Sequence, residues 1–142
     1  MNSSTEIPAP EVRAYQDSDF HIDGQAPFVM RIGQTCDALL ALYLAAGAQS
    51  CAYISACNPH GESASGRTND ERHGAFIRML QERGIDYLGG QALDPRGKYP
   101  PEPGCLIAGL TLDAAKALGN ELRQNAIVFC GAERIPALVL LR

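Results

Sequence analysis

The chain has 142 residues, of which 46% are hydrophobic and 20% charged, with a formal net charge of −4. These values predict one soluble globular domain and argue against a non-specific nucleic-acid binder or a polybasic membrane attachment. The longest apolar run, Ala38–Ala46, is about half of the roughly 20 residues that a membrane span needs. Five cysteines without a C-x-x-C pair indicate a reduced protein. We therefore expect a cytoplasmic location, with no nucleic-acid partner and no membrane.

The N-terminal part contains a tail and two short β-type runs. Residues 1–10 are rich in Ser and Pro and predict a mobile tail, followed by a single globular domain over residues 11–142. The runs Val12–Tyr15 and Phe28–Ile32 are separated by a polar connection that contains glycine, a pattern that predicts an opening β-hairpin.

An apolar helix is predicted next. Thr35 offers an N-cap, Cys36–Ala46 is apolar on almost every side, and Gly47 is placed to end the helix. A helix without a polar face is typical of complete burial. We therefore expect it to pack between the sheet and another helix.

The middle of the chain predicts a central strand and a second helix. Cys51–Cys57 has no strongly polar face, which is typical of a strand buried on both sides. Alternation divides its residues into one face with Ala52, Ile54 and Ala56 and another with Cys51, Tyr53, Ser55 and Cys57. Thr68 and Glu71 have the spacing of a capping box, so the second helix is predicted to begin at Asn69. Its helical stripe consists of Arg72, Ala75, Phe76, Met79, Leu80 and Arg83, and Gly84 ends it.

The last third predicts short strands around a third helix. In chain order, the predicted elements are a strand over Ile85–Leu88, a long loop over Gly89–Gly104, a strand over Cys105–Ala108, a helix capped by Thr111, and a hairpin formed by Asn125–Cys130 and Ile135–Leu141. Pro136 suits an edge strand. The predicted fold is therefore mixed α+β, a single mixed β-sheet flanked by about three helices in the order ββαββαββ.

Several segments in sequence order resemble a bacterial family known as domain of unknown function 3293. They are AYISACNP, TNDER, DPRGKYPPEPG, LIAGL and RQNAIVF, and the resemblance spans residues 13–130. It identifies as family positions Asn58, Pro59, Asn69, Arg72, Asp94, Gly97, Glu102, Gln124 and Asn125. The chain departs from the family pattern at Ser55, Tyr99 and Gly104, where Thr, Trp and Ser are usual. The resemblance implies a fold and a set of polar residues, and it implies no activity.

The segment Asn58–Arg72 is the strongest candidate for a ligand site. A polar loop between an apolar strand and a capped helix is a common position for an anion, which the helix N-terminus attracts. Here Asn58, Ser63, Ser65 and Arg67 could surround such an anion, with Asn69 at the helix start. The alternative is structural, because Asn-Pro initiates turns and Thr caps helices. Neither phosphate-loop fingerprint is present.

Arg72 shares a stripe with apolar residues, so it is predicted to point inward and to need a carboxylate partner. Glu102 and Asp94 are the candidates, either as a structural ion pair or with Arg72 clamping a substrate and Glu102 acting as a base. Gln124 and Asn125 precede an apolar strand and either satisfy backbone groups or contact a ligand; the first role is favoured.

Metal and thiol chemistry have little support. Cys57, His60 and His73 lack the paired spacing of zinc sites, and a turn through Pro59 opposes activation of Cys57 by His60. We predict no metal and no cofactor.

Three functions follow from these patterns. The first is binding of a small anionic ligand by the candidate set Asn58, Ser63, Arg67, Asn69, Arg72, Glu102, Gln124 and Asn125. The second is a regulatory or protein-interaction module whose unidentified partner contacts the Pro-rich loop or the edge strand. The third is a hydrolase or transferase that uses Glu102 as base and Arg72 for charge stabilisation.

Overall fold

The computed structural model of the chain describes residues 5–142. Its elements are α1 (Ala9–Asp17), β1 (Asp19–Ile22), β2 (Phe28–Arg31), α2 (Ala38–Ala46), β3 (Cys51–Ile54), a 3₁₀ turn (Pro59–Gly61), α3 (Gly66–Glu82), β4 (Leu88–Leu93), β5 (Glu102–Ala108), α4 (Leu112–Glu121), β6 (Ala126–Cys130) and β7 (Ala137–Leu140). The predicted α+β class is confirmed, although the described chain has four helices instead of about three. None of these helices is both long and apolar enough to cross a membrane.

The seven strands form one sheet in the order β2-β1-β4-β5-β3-β6-β7, and every neighbouring pair is antiparallel. The predicted central strand is confirmed, because β3 lies between β5 and β6 and is buried throughout. Its two faces are also confirmed. Ala52 and Ile54 belong to one core cluster, whereas Cys51 and Tyr53 belong to the other.

Helices cover both faces of the sheet. One core contains Phe76 and Leu80 of α3 with Ala115 and Leu118 of α4. The opposite core contains side chains of α2 packed on β1, β2 and β3. The middle of the stripe predicted for the second helix, Phe76 and Leu80, therefore lies on a buried face, whereas Arg72, Ala75 and Arg83 of the same stripe are exposed. Thr111 caps α4 as predicted, since its hydroxyl oxygen accepts the backbone N–H of Ala114 at 3.1 Å.

The predicted strand Val12–Tyr15 is wrong, because these residues lie in α1. Pro10 lies in the first turn of α1 and Glu11 makes that turn acidic, and both favour a helix start over the β preference of Val12. The opening hairpin instead pairs β1 with β2. Residues 1–4 of the predicted tail lie outside the described residues, while Ile7 is buried.

The apolar helix α2 is confirmed, with Gly47 at its C-terminus in the left-handed conformation at φ 63°. It begins at Ala38, two residues after the predicted start. The prediction of complete burial is wrong. Leu39 and Tyr43 are buried against the sheet, but Leu40 is 47% exposed and Leu44 is 75% exposed. Only one side of the helix meets the sheet, and α3 and α4 pack on the sheet's other face.

The start of α3 differs from the capping-box prediction. Ser65, not Thr68, is the N-cap, and its hydroxyl oxygen accepts the backbone N–H of Thr68 at 3.1 Å. The helix therefore begins at Gly66, three residues before Asn69. Serine is one of the residues preferred at a helix N-cap, and here it starts the helix one turn earlier than Thr68 would.

The predicted long loop Gly89–Gly104 is also wrong, because β4 and β5 occupy half of it and leave only residues 94–101 as a connection. The glycines in these strands accommodate close contacts. A Cβ at Gly90 would lie 2.6 Å from the carbonyl oxygen of His21, and one at Gly104 would lie 2.5 Å from the Tyr53 ring. The final hairpin of β6 and β7 is confirmed, with β7 at the sheet edge that Pro136 indicated.

Candidate functional site

Three strand ends meet at one edge of the sheet and bring distant polar residues together. β3 is antiparallel to both neighbours, with Ile54 opposite Cys105 of β5 and Tyr53 opposite Val128 of β6. The chain that leaves β3 at Ser55 therefore runs beside the residues that enter β5 and β6. Glu102 opens β5, and Gln124 and Asn125 directly precede β6.

A cavity of about 430 Å³ lies at this edge. Six of the eight candidate residues line it: Asn58, Ser63, Asn69, Glu102, Gln124 and Asn125. Its other walls come from α1, from the segment around Tyr99 to Pro101, and from the sheet residues Phe20 and Tyr53. The rings of Phe20 and Tyr53 meet edge to face with their centroids 5.1 Å apart. The cavity therefore combines a polar end with an aromatic wall.

Asn58 and Asn69 form the centre of the polar end. The backbone N–H of Asn58 donates to the Asn69 side-chain oxygen at 3.0 Å, and the Asn69 amide donates to Asn58 Oδ1 at 2.9 Å. Asn58 Oδ1 also accepts the backbone N–H of Ala64 at 2.9 Å. These bonds attach the loop over residues 58–65 to the first turn of α3. They require the left-handed backbone of Asn58, at φ 46°, which asparagine tolerates better than most residues.

Glu102 is the half-buried acid of the cavity. Its Oε2 accepts the Asn58 side-chain amide at 3.2 Å, and the Ser55 hydroxyl is its other hydrogen-bond partner. Burial raises the pKa of the Glu102 carboxyl above its ordinary value, although the hydrogen bonds from Ser55 and Asn58 oppose that change. No ion pair to Glu102 occurs within residues 5–142. The carboxylate is therefore stabilised by neutral donors alone.

The other charged residues of the cavity are also acidic. Glu11, Asp70 and Asp94 line it together with Glu102, and no Lys, Arg or His belongs to the described lining. Asp94 accepts the backbone N–H groups of residues 96, 98 and 99, and these bonds, that of Arg96 foremost, lower the pKa of its carboxyl. Four carboxyl groups and no basic side chain therefore belong to the described lining of the cavity.

Gln124 has the bonds to backbone groups that the favoured interpretation expects, whereas the Asn125 amide bonds to side chains instead. The Gln124 amide donates to the carbonyl oxygen of Cys57 at 3.1 Å and to that of Leu122 at 3.2 Å. Asn125 donates to Tyr15 at 3.1 Å and to Glu11 at 3.3 Å, which attaches α1 to the sheet edge. Both side chains hold the walls of the cavity in place.

The two candidate arginines lie outside the cavity. The side chain of Arg67 is 90% exposed and pairs with Glu71 at 3.5 Å. Arg72 is exposed and lines a second pocket of about 280 Å³ with loop residues from Pro59 to Ala64. The predicted ion pair of Arg72 with Glu102 or Asp94 is absent from the described chain. The N-terminal part of α3 faces the loop instead of the sheet. Of the helical stripe that contains Arg72, only the residues from Phe76 to Leu80 therefore reach the core.

The thiol of Cys57 is buried and points to the carbonyl oxygens of Asn69 and Pro103, at 3.7 and 3.9 Å. Burial raises its pKa to about 11, which disfavours the nucleophilic thiolate. Within the described residues no three His, Cys, Asp or Glu side chains are arranged to hold a metal ion.

Sequence reasoning missed the contribution of α1. Glu11, Ala14, Tyr15 and Ser18 line the cavity, and burial raises the pKa of Tyr15. The available signal is Pro10 followed by Glu11, a combination typical of the first turn of a helix, in a segment for which the sequence patterns predict a tail and a strand.

Residues 54–127, just over half of the chain, match the model of a family described as protein of unknown function, DUF3293. The chain belongs to this family. The DUF3293 match runs from the end of β3 to the start of β6 and contains all eight candidate residues. Neither a curated protein nor a solved structure matched the chain significantly.

Proposed function

We propose that the protein binds a small molecule that carries an amine or a similar N–H donor group, with Glu102 as its acceptor. The observation that carries this proposal is the half-buried Glu102 carboxylate, which lines a 430 Å³ cavity without any basic residue in the described lining. This volume is within the range of about 300–1,000 Å³ that is typical of small-molecule sites.

The charge of the ligand follows from the charge of the walls. Transfer of a carboxylate out of water is unfavourable unless a positive or strongly donating group compensates it. An ammonium group next to Glu102 supplies that compensation, whereas an anionic ligand would add repulsion from Glu11, Asp70 and Asp94. The proposal therefore keeps the predicted loop as part of the site and replaces the predicted anionic ligand with an amine.

The aromatic wall defines the rest of the ligand. Phe20, Tyr15 and Tyr53 offer apolar surface beside the polar end, and Tyr99 stands 39% exposed at the rim. Ring faces favour cations as well as apolar groups. We therefore expect a compact ligand with an amine at one end and a ring or hydrocarbon at the other.

Binding is better supported than catalysis. The hydrolase or transferase alternative used Arg72 to stabilise developing negative charge next to Glu102. Arg72 lines the other pocket, and no basic side chain replaces it in the described lining of the cavity. A raised carboxyl pKa suits a general base, but the described lining offers only neutral amides and hydroxyls, and no basic side chain, to stabilise developing negative charge.

The experiment is a thermal-shift screen of the full chain, followed by calorimetric titration. The probes are spermidine, glucosamine and benzylamine, with citrate and acetate as anions. A ligand at a hundred times its Kd stabilises the native state by about 2.7 kcal/mol. We expect at least one amine to raise the Tm, and Glu102→Gln to abolish the rise. Glu82→Gln is the matched control, because Glu82 is exposed at the end of α3 and does not line the cavity. Stabilisation by the anions alone, or amine binding that persists in Glu102→Gln, would contradict the proposal.

Protein interaction is a second candidate, favoured by the exposed apolar side of α2. Leu40 and Leu44 are four residues apart on one helix face, and α2 contains no charged residue. A second copy of the chain can pack on such a face without charge repulsion, so we expect a symmetric dimer. Size-exclusion chromatography with light scattering tests it: Leu44→Lys should give a monomer, and a monomeric parent protein would rule it out.

We also propose a cytoplasmic location. All five cysteines are free and buried, which fits a reducing compartment.

A further inference from the structure

A second pocket, of about 280 Å³, lies against the loop over residues 58–65. Ser63 and Ala64 line this pocket and also line the cavity, so one segment of chain is a wall of both. The charges of the two linings are opposite. The second pocket contains His60, Arg72 and Arg123, and Glu62 is its single acidic residue.

Three separate segments bring these basic groups together. His60 belongs to the loop, Arg72 to α3 and Arg123 to the turn between α4 and β6. A backbone hydrogen bond of 2.6 Å from the His60 N–H to the Arg123 carbonyl oxygen joins the loop to that turn. Both residues have left-handed backbones, at φ 54° and φ 56°. Such conformations are unfavourable for side chains of this size and persist only where surrounding contacts hold them.

The two arginines of the pocket have no acidic partner. Neither Arg72 nor Arg123 forms an ion pair or a side-chain hydrogen bond with any residue from 5 to 142. Glu62 lines the same pocket but pairs with neither of them. Their guanidinium groups are therefore available to an external anion.

We propose that this pocket binds a phosphate group, either of inorganic phosphate or of a small phosphate monoester. Each guanidinium presents five N–H donors in a plane and binds an oxyanion in bidentate fashion. Two guanidinium groups and an imidazole together offer more N–H donors than the two oxygens of a carboxylate can accept. A phosphate monoester has three terminal oxygens and therefore matches these donors better. The site differs from the amine site in its pocket, its residues and the charge of its ligand.

The test is calorimetric titration of the full chain with inorganic phosphate and, separately, with glycerol phosphate. We expect saturable binding of at least one probe and a loss of about tenfold or more in affinity for Arg72→Gln and for Arg123→Gln. Arg78→Gln is the matched control, since Arg78 is an exposed residue of α3 that does not line the pocket. Glu62→Gln should strengthen binding, because it removes the only negative charge in the described lining.

Binding by glycerol phosphate alone would identify a metabolite-borne phosphate, and equal binding of both probes would identify the phosphate group itself. Absence of saturable binding of either probe, or binding that is unchanged in both arginine variants, would overturn the proposal. Glu102→Gln removes amine binding and leaves phosphate binding intact, so failure of one site is distinguishable from failure of the other.

Discussion

Substitution of Asn58 by alanine should cost about 3–5 kcal/mol of the free energy of unfolding. The side chain makes three hydrogen bonds: two accepted by its oxygen, from Ala64 and Asn69, and one donated to Glu102. A neutral hydrogen bond contributes about 1 kcal/mol and one to a charged group about 1.5–3 kcal/mol. The left-handed backbone at φ 46° adds about 1 kcal/mol for alanine. Asn58 is half-buried, so water recovers part of the sum.

The assay is urea unfolding at pH 7, followed by circular dichroism. Asn58→Gly loses the same side-chain bonds but accepts a positive φ, so its loss should be smaller than that of Asn58→Ala. Asn120→Ala is the control, because Asn120 is exposed in α4 and its side chain has no partner within the described chain. Its effect should stay within about 0.5 kcal/mol. A loss below about 1 kcal/mol for Asn58→Ala would refute the assignment of this network as the support of the loop.

Two further predictions concern the cavity. Because burial raises the pKa of Glu102 above 4.5 in the folded state, ionisation of this carboxyl destabilises the native protein. The unfolding free energy of the parent protein, relative to Glu102→Gln, should therefore rise as pH falls from 7 through the folded pKa, and it should level off near pH 4.5. The expected rise is about 1.4 kcal/mol for each unit by which the folded pKa exceeds the unfolded one. Urea titrations across this range that show the opposite trend would contradict the prediction. Gly104→Ala places a Cβ 2.5 Å from the Tyr53 ring, so it should cost about 1–3 kcal/mol and weaken amine binding by displacing that ring, as calorimetry would show.

The sequence predicts those elements whose local signals agree with their environment. Thr111 caps α4, Gly47 ends α2, and the alternation in β3 assigns residues correctly to the two cores. In each case the periodicity or the cap is a local property that the folded chain retains.

The errors occur where long-range contacts determine the local structure. Glycine is typical of loops, yet Gly90 and Gly104 lie in strands. They are glycines because His21 and Tyr53 leave no space for a side chain. This requirement depends on which strands pair, so the sequence alone does not show it. The exposed side of α2 likewise depends on which elements pack around it, and a uniformly apolar helix gives no indication of the open side.

The composition of the candidate site is predicted better than its geometry. Six candidate residues meet in one cavity because β3, β5 and β6 are neighbours, an order that sequence patterns do not contain. Arg72 was placed inward from its position on a helical stripe, but the stripe extends beyond the sheet. The acidic character of the cavity depends on Glu11 of α1 lying in the same lining as Glu102, a contact between distant segments that sequence patterns do not contain.

The shared wall at Ser63 and Ala64 has a thermodynamic consequence. A ligand in one pocket that shifts this segment alters the affinity of the other pocket, and the factor is the same in both directions. An amine that tightens phosphate binding tenfold must itself be held tenfold more tightly when phosphate is present. Under the two proposals, the amine and the phosphate would therefore be coupled reciprocally through this shared segment, with a strength set by the stiffness of the loop.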